Sequence, residues 1–365
     1  MEPTTNLATA PGNETKKLIG RAFFGDTFDD HGGLEAFQDY FRYYEGEIAW
    51  LRGGTHQIAG IVTQSHEDVV TIAKLLRQHP DCEKSEIRQK LRAVHHFGHA
   101  EDWVLNRSID LSLRLWLQIN VRDDESSTGV PQVHWDEDVV LADFLAGLFP
   151  VEDWELGAKE RRLDPYFTAA NMVQFCQLKV DWTNSLEDHL RLERREKKEK
   201  VLWVYPHKQT LQALLVEAEK VPATVLKETI QTLDLLFPFW DTRTKTLLEQ
   251  NGQTFHNISG PIEQGRRLHL LDFPHWKVRL LEVYEEVFQS PPVSWAQLWH
   301  DQRNPQQFWT FWIALVILAL TLVSTIASIV SMITGIIQVK LARQALSLSL
   351  QTMSSSSHRF HSSSL

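Results

Sequence analysis

The chain has 365 residues, 43% hydrophobic and 23% charged, with two cysteines; this excludes a disulfide-stapled secreted scaffold and a low-complexity chain. Its 37 basic and 47 acidic residues give a net charge of −10, which excludes a generally basic nucleic-acid-binding protein. The charge is unevenly spread: residues 1–165 carry −12, residues 166–307 carry −1, no acid follows Asp301, and no charge of either sign occurs from Asn304 to Val339.

In chain order, residues 1–22 are polar, with Thr, Pro and Gly, and predict a disordered N-terminus. Residues 23–165 predict an acidic helical region. From Leu34 to Leu76 the apolar residues fall at helical spacing, as in Ile58, Ile61, Val62, Val69, Ile72, Ala73 and Leu76, and Gly53-Gly54 divides the pattern into two helices. Ser85–Val94 continues it. Asp102–Ile119 is the clearest helix: Leu105, Ile109, Leu113 and Trp116 share a face, and Asp110 and Arg114 stand at i, i+4, where they can pair on another. The polar loop from Arg122 to Ser127 ends it, and Asp136–Leu148 predicts a shorter helix stopped by Pro150.

Residues 166–307 predict a second helical region containing a β-hairpin at about 188–205. Thr168 is a good N-cap for a helix Ala169–Cys176, after which Lys179–Thr183 reads as extended. His189–Glu193 and Val201–Tyr205 are strand-like and flank the charged tip from Arg194 to Lys200. Two helices followed by a hairpin is the order of a winged helix, so the fold class expected is mainly α, with a small α+β unit of possible winged-helix type and one C-terminal transmembrane helix. The helix that a winged helix would lay in a DNA groove contains no Lys or Arg, so nucleic acid is not an expected partner. Helices resume at Leu211–Glu219, Val225–Phe237 and Trp276–Phe288, and Pro291-Pro292 leads to an aromatic stretch at Trp295 and Trp299.

Residues 308–337 carry no charge over 30 positions, where about 20 apolar residues suffice to cross a bilayer core. This predicts one transmembrane helix, centred near Phe311–Val330. Trp309 and Trp312 at one edge and Lys340 and Arg343 at the other are residue types that anchor at membrane interfaces. Ala327, Ser331 and Gly335 recur at i, i+4, i+8, with Ser324 and Ser328 beside them, a spacing that lets a second helix approach closely. Residues 338–365 form a Ser-rich basic tail whose Lys340, Arg343 and Arg359 favour a cytoplasmic C-terminus by the positive-inside rule. Against this, residues 1–17 hold no apolar export segment; that cue, with the scarcity of cysteine, favours a cytosolic body and is the expectation adopted.

The usual motifs for phosphate, dinucleotide, nucleophile-elbow and zinc-protease chemistry do not occur in the chain, so no cofactor and no catalytic residue are expected. His134 and Asp138 have a His-x-x-x-Asp spacing found in some acyltransferases, but at the start of an expected helix. The histidine cluster His95, His96 and His99 provides the metal-ligand candidates, His95 and His99, which would share a face if a helix ran unbroken through Gly98.

The segments Leu105–Trp116, Phe167–Asn171 with Asp181–Leu192, Glu228–Pro238 and Ser294–Trp312 resemble a large family of filamentous-fungal proteins of undetermined activity with a single C-terminal transmembrane helix. The resemblance implies a fungal source and a single-pass architecture, and it brings no ligand or catalytic residue with it. A looser similarity to fungal CorA-type magnesium transporters fails, because those have two spans and a Gly-Met-Asn loop. The expected function is a membrane-anchored interaction or scaffold protein, with the lipid bilayer and a protein partner or a second copy as partners. The alternative is a membrane-held enzyme or accessory factor of fungal secondary metabolism, and a third reading is a winged-helix regulator.

Overall fold

A computed structural model describes residues 6–53, 60–94, 97–122, 131–151, 162–195, 199–217, 223–255, 267–288 and 305–361. The chain divides into two units, Met1–Pro291 and Pro292–Leu365, so the acidic half and the hairpin half share one body.

The helices of the first half are α1 (Asn13–Phe24), α2 (Thr27–Asp30), α3 (Gly33–Ala36), α4 (Gln38–Gly53), α5 (His66–Gln78), α6 (Lys84–Arg92), α7 (Asp102–Leu117) and α8 (Leu141–Leu148). Of the 16 residues of α7, 12 are buried, and only its first turn, with Asp102 and Trp103, is exposed, so it is a central helix rather than an amphipathic surface one. That burial decides what its charges do. Asp110 and Arg114 do not pair with each other, as their spacing suggested; each turns to a neighbouring element. The Nζ of Lys84, the first residue of α6, lies 2.9 Å from Asp110 Oδ1 and 3.0 Å from Oδ2. The same Nζ donates to the Trp135 carbonyl at 3.1 Å, and both charged side chains are almost fully enclosed. Arg114 pairs instead with Glu47 of α4 at 2.8 Å and donates to the Val121 carbonyl. A buried charge is tolerated only when paired and hydrogen-bonded, and two different partners draw α4, α6 and the loop at Trp135 around α7.

Helix ends impose a second requirement, because the last carbonyls of α7 have no partner within the helix. Tyr40 of α4 supplies one, donating to Leu115 O at 3.0 Å, and Tyr43 donates to Arg114 O at 2.9 Å beside the capping Gln118 N–H. Around Tyr40, the rings of Phe23, Phe24, Phe28, Phe37 and Phe41 meet edge-on, tilted or stacked at 4.9–6.3 Å. Within the segment 1–22 expected to be disordered, this cluster orders residues 13–22 as helix; residues 1–5 lie outside the described residues. Helix α1 begins at Asn13, because Ile19, Phe23 and Phe24 form a short apolar stripe that is fully buried. Gly20 belongs to the same contact, since a Cβ there would fall on the Phe28 ring.

Helix α5 opens on a capping box, with Ser65 accepting from Asp68 N while the Asp68 carboxylate accepts from Ser65 N. Helix α8 begins at Leu141, not Asp136. Residues 136–140 stay outside the helix, with the buried Trp135 donating its indole N–H to Val139 O at 2.9 Å.

In the second half, α9 spans Ala169–Cys176 and Thr168 caps it through Asn171 N, as its sequence predicts. Strands β1 (Leu178–Trp182), β2 (Arg191–Arg194) and β3 (Lys200–Val204) form a sheet in the order β1-β3-β2. The hairpin is present, with β2 antiparallel to β3 and Leu192 opposite Leu202. Strand β1, however, runs parallel to β3, with Val180 opposite Leu202. The segment between β1 and β2 holds only the 3-10 turn Leu186–Asp188. The unit therefore departs from a winged helix, whose sheet is antiparallel and fed by a helix-turn-helix. Ala169, Ala170, Asn171 and Met172 of α9 are buried, which gives that helix a packing role. Helices α10 (Lys208–Glu217), α11 (Ala223–Leu236), α12 (Thr242–Gln250) and α13 (Lys277–Val283), the last continued by a π-turn at Tyr284–Phe288, complete the body. Helix α12 had no counterpart in the sequence reading; only Leu247 and Leu248 mark its apolar side.

The second unit holds α14, Pro305–His361, a single helix of 57 residues that runs on from the expected 308–337 span into the basic tail. Its stretch Trp309–Thr352 is long and apolar enough to cross a membrane; an 18-residue window reaches a mean hydropathy of 2.7, and none of that window is buried.

Removing one member of the Lys84–Asp110 pair strands the other charge in the core, so Lys84→Met is expected to destabilise the body by about 3–5 kcal/mol. Adding Asp110→Leu should recover most of that loss, and denaturant unfolding of the full chain in a non-ionic detergent, read as a double-mutant cycle, measures both.

Candidate functional site

Between the C-terminal end of α7, the sheet and helices α11 and α13 lies a seam of buried polar groups. Gln118 caps α7 in a left-handed conformation, with φ of 54°. Its carbonyl accepts from Leu186 N at 2.9 Å and its Oε1 accepts from the Tyr205 hydroxyl at 2.6 Å. Two residues on, the amide of Asn120 donates to Glu187 Oε1 at 2.8 Å. The acidic half and the hairpin half are thus joined by bonds to a 3-10 turn.

His189 follows that turn and is fully buried. Its Nδ1 accepts the Tyr205 backbone N–H at 3.2 Å, so Nε2 carries the proton and donates to Thr232 Oγ1 at 2.7 Å; the Thr232 hydroxyl in turn donates to Thr229 O. Burial, with the nearby Arg279 charge, pushes the imidazole down to about 3, so the ring stays neutral. Leu190, next in the chain, takes φ of 62°, uncommon for a leucine. Its enclosed side chain and its N–H bond to Trp203 O at 2.8 Å hold it there. Arg279 of α13 donates to the carbonyls of Glu187 and His189 at 2.7 and 2.6 Å and lies over the Trp276 ring.

Two carboxyls in the seam are raised. Glu228 of α11 accepts the backbone N–H groups of His275 and Trp276 at 2.7–3.1 Å and so caps the start of α13. Desolvation outweighs these bonds and lifts it to about 7. Glu187 is likewise lifted to about 7 by burial; the residue is partly exposed as a whole, but its Oε2 is sealed and makes no hydrogen bond among the described residues. His207, buried and bonded to Asn184 at 2.8 Å, is pushed down to about 4. These groups hold one another and the backbone. Perturbed groups of this kind mark an active site when a cleft reaches them; here each is spent on capping or joining elements.

The surface offers a different feature. A groove of about 270 Å³ lies between α9 and α12, lined by residues that include Ala170, Val173, Gln174, Arg243, Leu247 and Gln250. Arg243 Nη1 donates to Asn171 Oδ1 at 3.1 Å and Gln174 Oε1 at 3.3 Å, and Asn171 is itself fixed by donating to Tyr166 O at 2.7 Å. Just outside the two helix starts, Tyr166, Phe239 and Trp240 are 67%, 65% and 59% exposed, with the last two rings 4.9 Å apart.

The residues singled out in the sequence fall elsewhere. His95 and His96 lie outside the described residues, while His99 is exposed in a turn after α6. Among the described residues no group of three or more His, Cys, Asp or Glu is placed to hold a metal. His134 is exposed and faces Asp136 at 3.2 Å; Asp138 is exposed on the same loop, and the sealed His189 is engaged by other partners. Trp309, Trp312, Ala327, Ser331, Gly335, Lys340 and Arg343 all lie on α14. From Trp312 to Lys340 the helix measures about 42 Å at 1.5 Å per residue, the thickness of a bilayer with its headgroup regions. Within it the hydroxyls of Thr321, Thr325, Ser328 and Thr334 donate back to helix carbonyls, an arrangement that would satisfy them in an apolar surrounding. Those of Ser324 and Ser331, seven residues apart and so on one face, make no such bond among the described residues.

No family model matches the chain, and neither a curated protein nor a solved structure matches it.

The signs of the four shifted groups oppose one another. Glu187 and Glu228 bind protons more tightly in the folded state, so their contribution is full below about pH 4.5 and is lost as pH rises to about 7; His189 and His207 do the reverse between about 3–4 and 6.5. Their effects nearly cancel from pH 4.5 to 6.5. Glu187→Gln removes one falling contribution, so its stability relative to wild type is expected to climb by about 3 kcal/mol between pH 4.5 and 7. Denaturant midpoints of both proteins across that range measure it, and a pH-independent difference would contradict the assignment.

Proposed function

We propose that the chain is a single-pass membrane-anchored interaction protein, with a cytosolic body held at the bilayer by α14. The observation that carries the reading is the apolar stretch Trp309–Thr352, of which the most hydrophobic window is entirely unburied; such a surface requires lipid or another helix. The body supplies a folded, acidic platform whose buried histidines and carboxylates are occupied in holding it together.

Two features favour the cytosolic side. Cys82 and Cys176 are not joined in a disulfide. Asn106 of the glycosylation sequon Asn106-Arg107-Ser108 lies within α7, 6% exposed, with its amide donating to Glu137 at 2.9 Å. Partners of two kinds fit: a second copy through the face of Ala327, Ser331 and Gly335, where the Ser324 and Ser331 hydroxyls are available to a neighbouring helix, and a protein bound by the body.

Carbonate washing of membranes followed by protease digestion of sealed vesicles tests the anchor and its orientation. The chain is expected to stay in the pellet and the body to be digested from the cytosolic side. Release by carbonate would contradict the anchor, and a protected body whose mobility shifts with glycosidase would reverse the orientation. Crosslinking in membranes is expected to yield a dimer that Gly335→Leu reduces at least threefold; an unchanged dimer fraction removes the self-association.

A further inference from the structure

We infer that the α9–α12 groove docks a segment of a partner protein that presents an aliphatic side chain next to a carboxylate. The inference deepens the interaction reading above and rests on it.

The groove supplies both halves of that recognition. Ala170, Val173 and Leu247 give it apolar walls, and its volume of about 270 Å³ exceeds the roughly 150 Å³ of an engineered cavity that admits benzene, so one Leu or Ile side chain fits. Arg243 is the one charged residue among those lining it. Its Nη1 is committed to Asn171 and Gln174, while Nε and Nη2 make no bond to any described residue. A guanidinium anchored at one nitrogen loses little further freedom when its fork meets a carboxylate, and that geometry is the one arginine recognises best.

The rim argues for a macromolecular occupant. Tyr166, Phe239 and Trp240 are exposed within three residues of the starts of α9 and α12, the two helices that form the groove, and aromatic residues with arginine are the composition of a binding hot spot. A small carboxylate would fill the groove and leave these rings uncovered. The bilayer surface is a poorer match, because Arg243 is the one charged residue lining the groove, whereas recognition of anionic headgroups uses clusters of several basic residues.

The test uses the full-length chain in non-ionic micelles and an array of labelled, acetylated hexapeptides carrying Leu, Ile or Val beside Glu, each with a twin in which Gln replaces Glu. Fluorescence anisotropy is expected to show at least one Glu peptide binding about tenfold tighter than its twin. That preference should vanish in Arg243→Gln, and all binding should be lost in Thr246→Trp, which fills the groove, or weakened about tenfold in Trp240→Ala. Lys245→Gln, on α12 but outside the groove, should bind as wild type does. Equal binding within every twin pair, or a preference that survives Arg243→Gln, overturns the inference. Vesicle binding that depends on Arg243 without any peptide preference assigns the face to lipid and overturns it as well. Because carbonate resistance is read separately, a failed array with an intact anchor removes the docking site alone.

Discussion

The body is organised by the need to satisfy the charges and carbonyls that α7 carries away from water beyond its first turn. Helix α7 carries Asp110 and Arg114 into the core, and neither is stable there without an opposite charge and hydrogen bonds. Lys84 answers the first from α6 and Glu47 answers the second from α4, while Tyr40 and Tyr43 donate to carbonyls of the helix's last turn. The apolar core that runs from Leu7 to Phe288, the rings around Tyr40 included, supplies the driving force for burial, but apolar contacts would accept many arrangements. The polar partners are directional, and they select which helices surround α7 and in what register.

The same logic extends past the end of α7. Gln118 and Asn120 carry the helix's polar accounting into the hairpin half through Leu186, Glu187 and Tyr205. From there His189, Thr232, Arg279 and Glu228 pass it to α11 and α13. The clusters of titratable groups that resemble a reaction centre are on this account the joints of the fold. On the proposed reading, interaction falls to the outside: the groove with its anchored arginine on the body, and the long apolar surface of α14.

Much of this was legible in the amino-acid sequence wherever a local rule governs. Thr168 announces α9, the alternation around residues 188–205 announces the hairpin, and the uncharged run from Phe308 announces α14, because a long apolar run is legible from composition alone. What escaped was decided by distant contacts. The i, i+4 spacing of Asp110 and Arg114 describes an exposed helix and fails where α7 is buried on every side. Helix α1 lay hidden in a polar segment, its Ile19, Phe23 and Phe24 too few to outweigh their neighbours, and α12 shows only two leucines. The parallel pairing of β1 with β3 leaves no mark in β1 itself. The groove joins residues about seventy positions apart, so neither Asn171 nor Arg243 signals it alone.

Native-state hydrogen exchange of the full chain tests the central role of α7 most directly. If its buried polar anchors organise the body, the amides from Leu105 to Leu117 exchange only through global unfolding and are the slowest of the molecule, with those of α12 opening locally and far faster. Exchange of the α7 amides at rates like those of α12 would show that the helix is replaceable, and that the surrounding elements hold together without it.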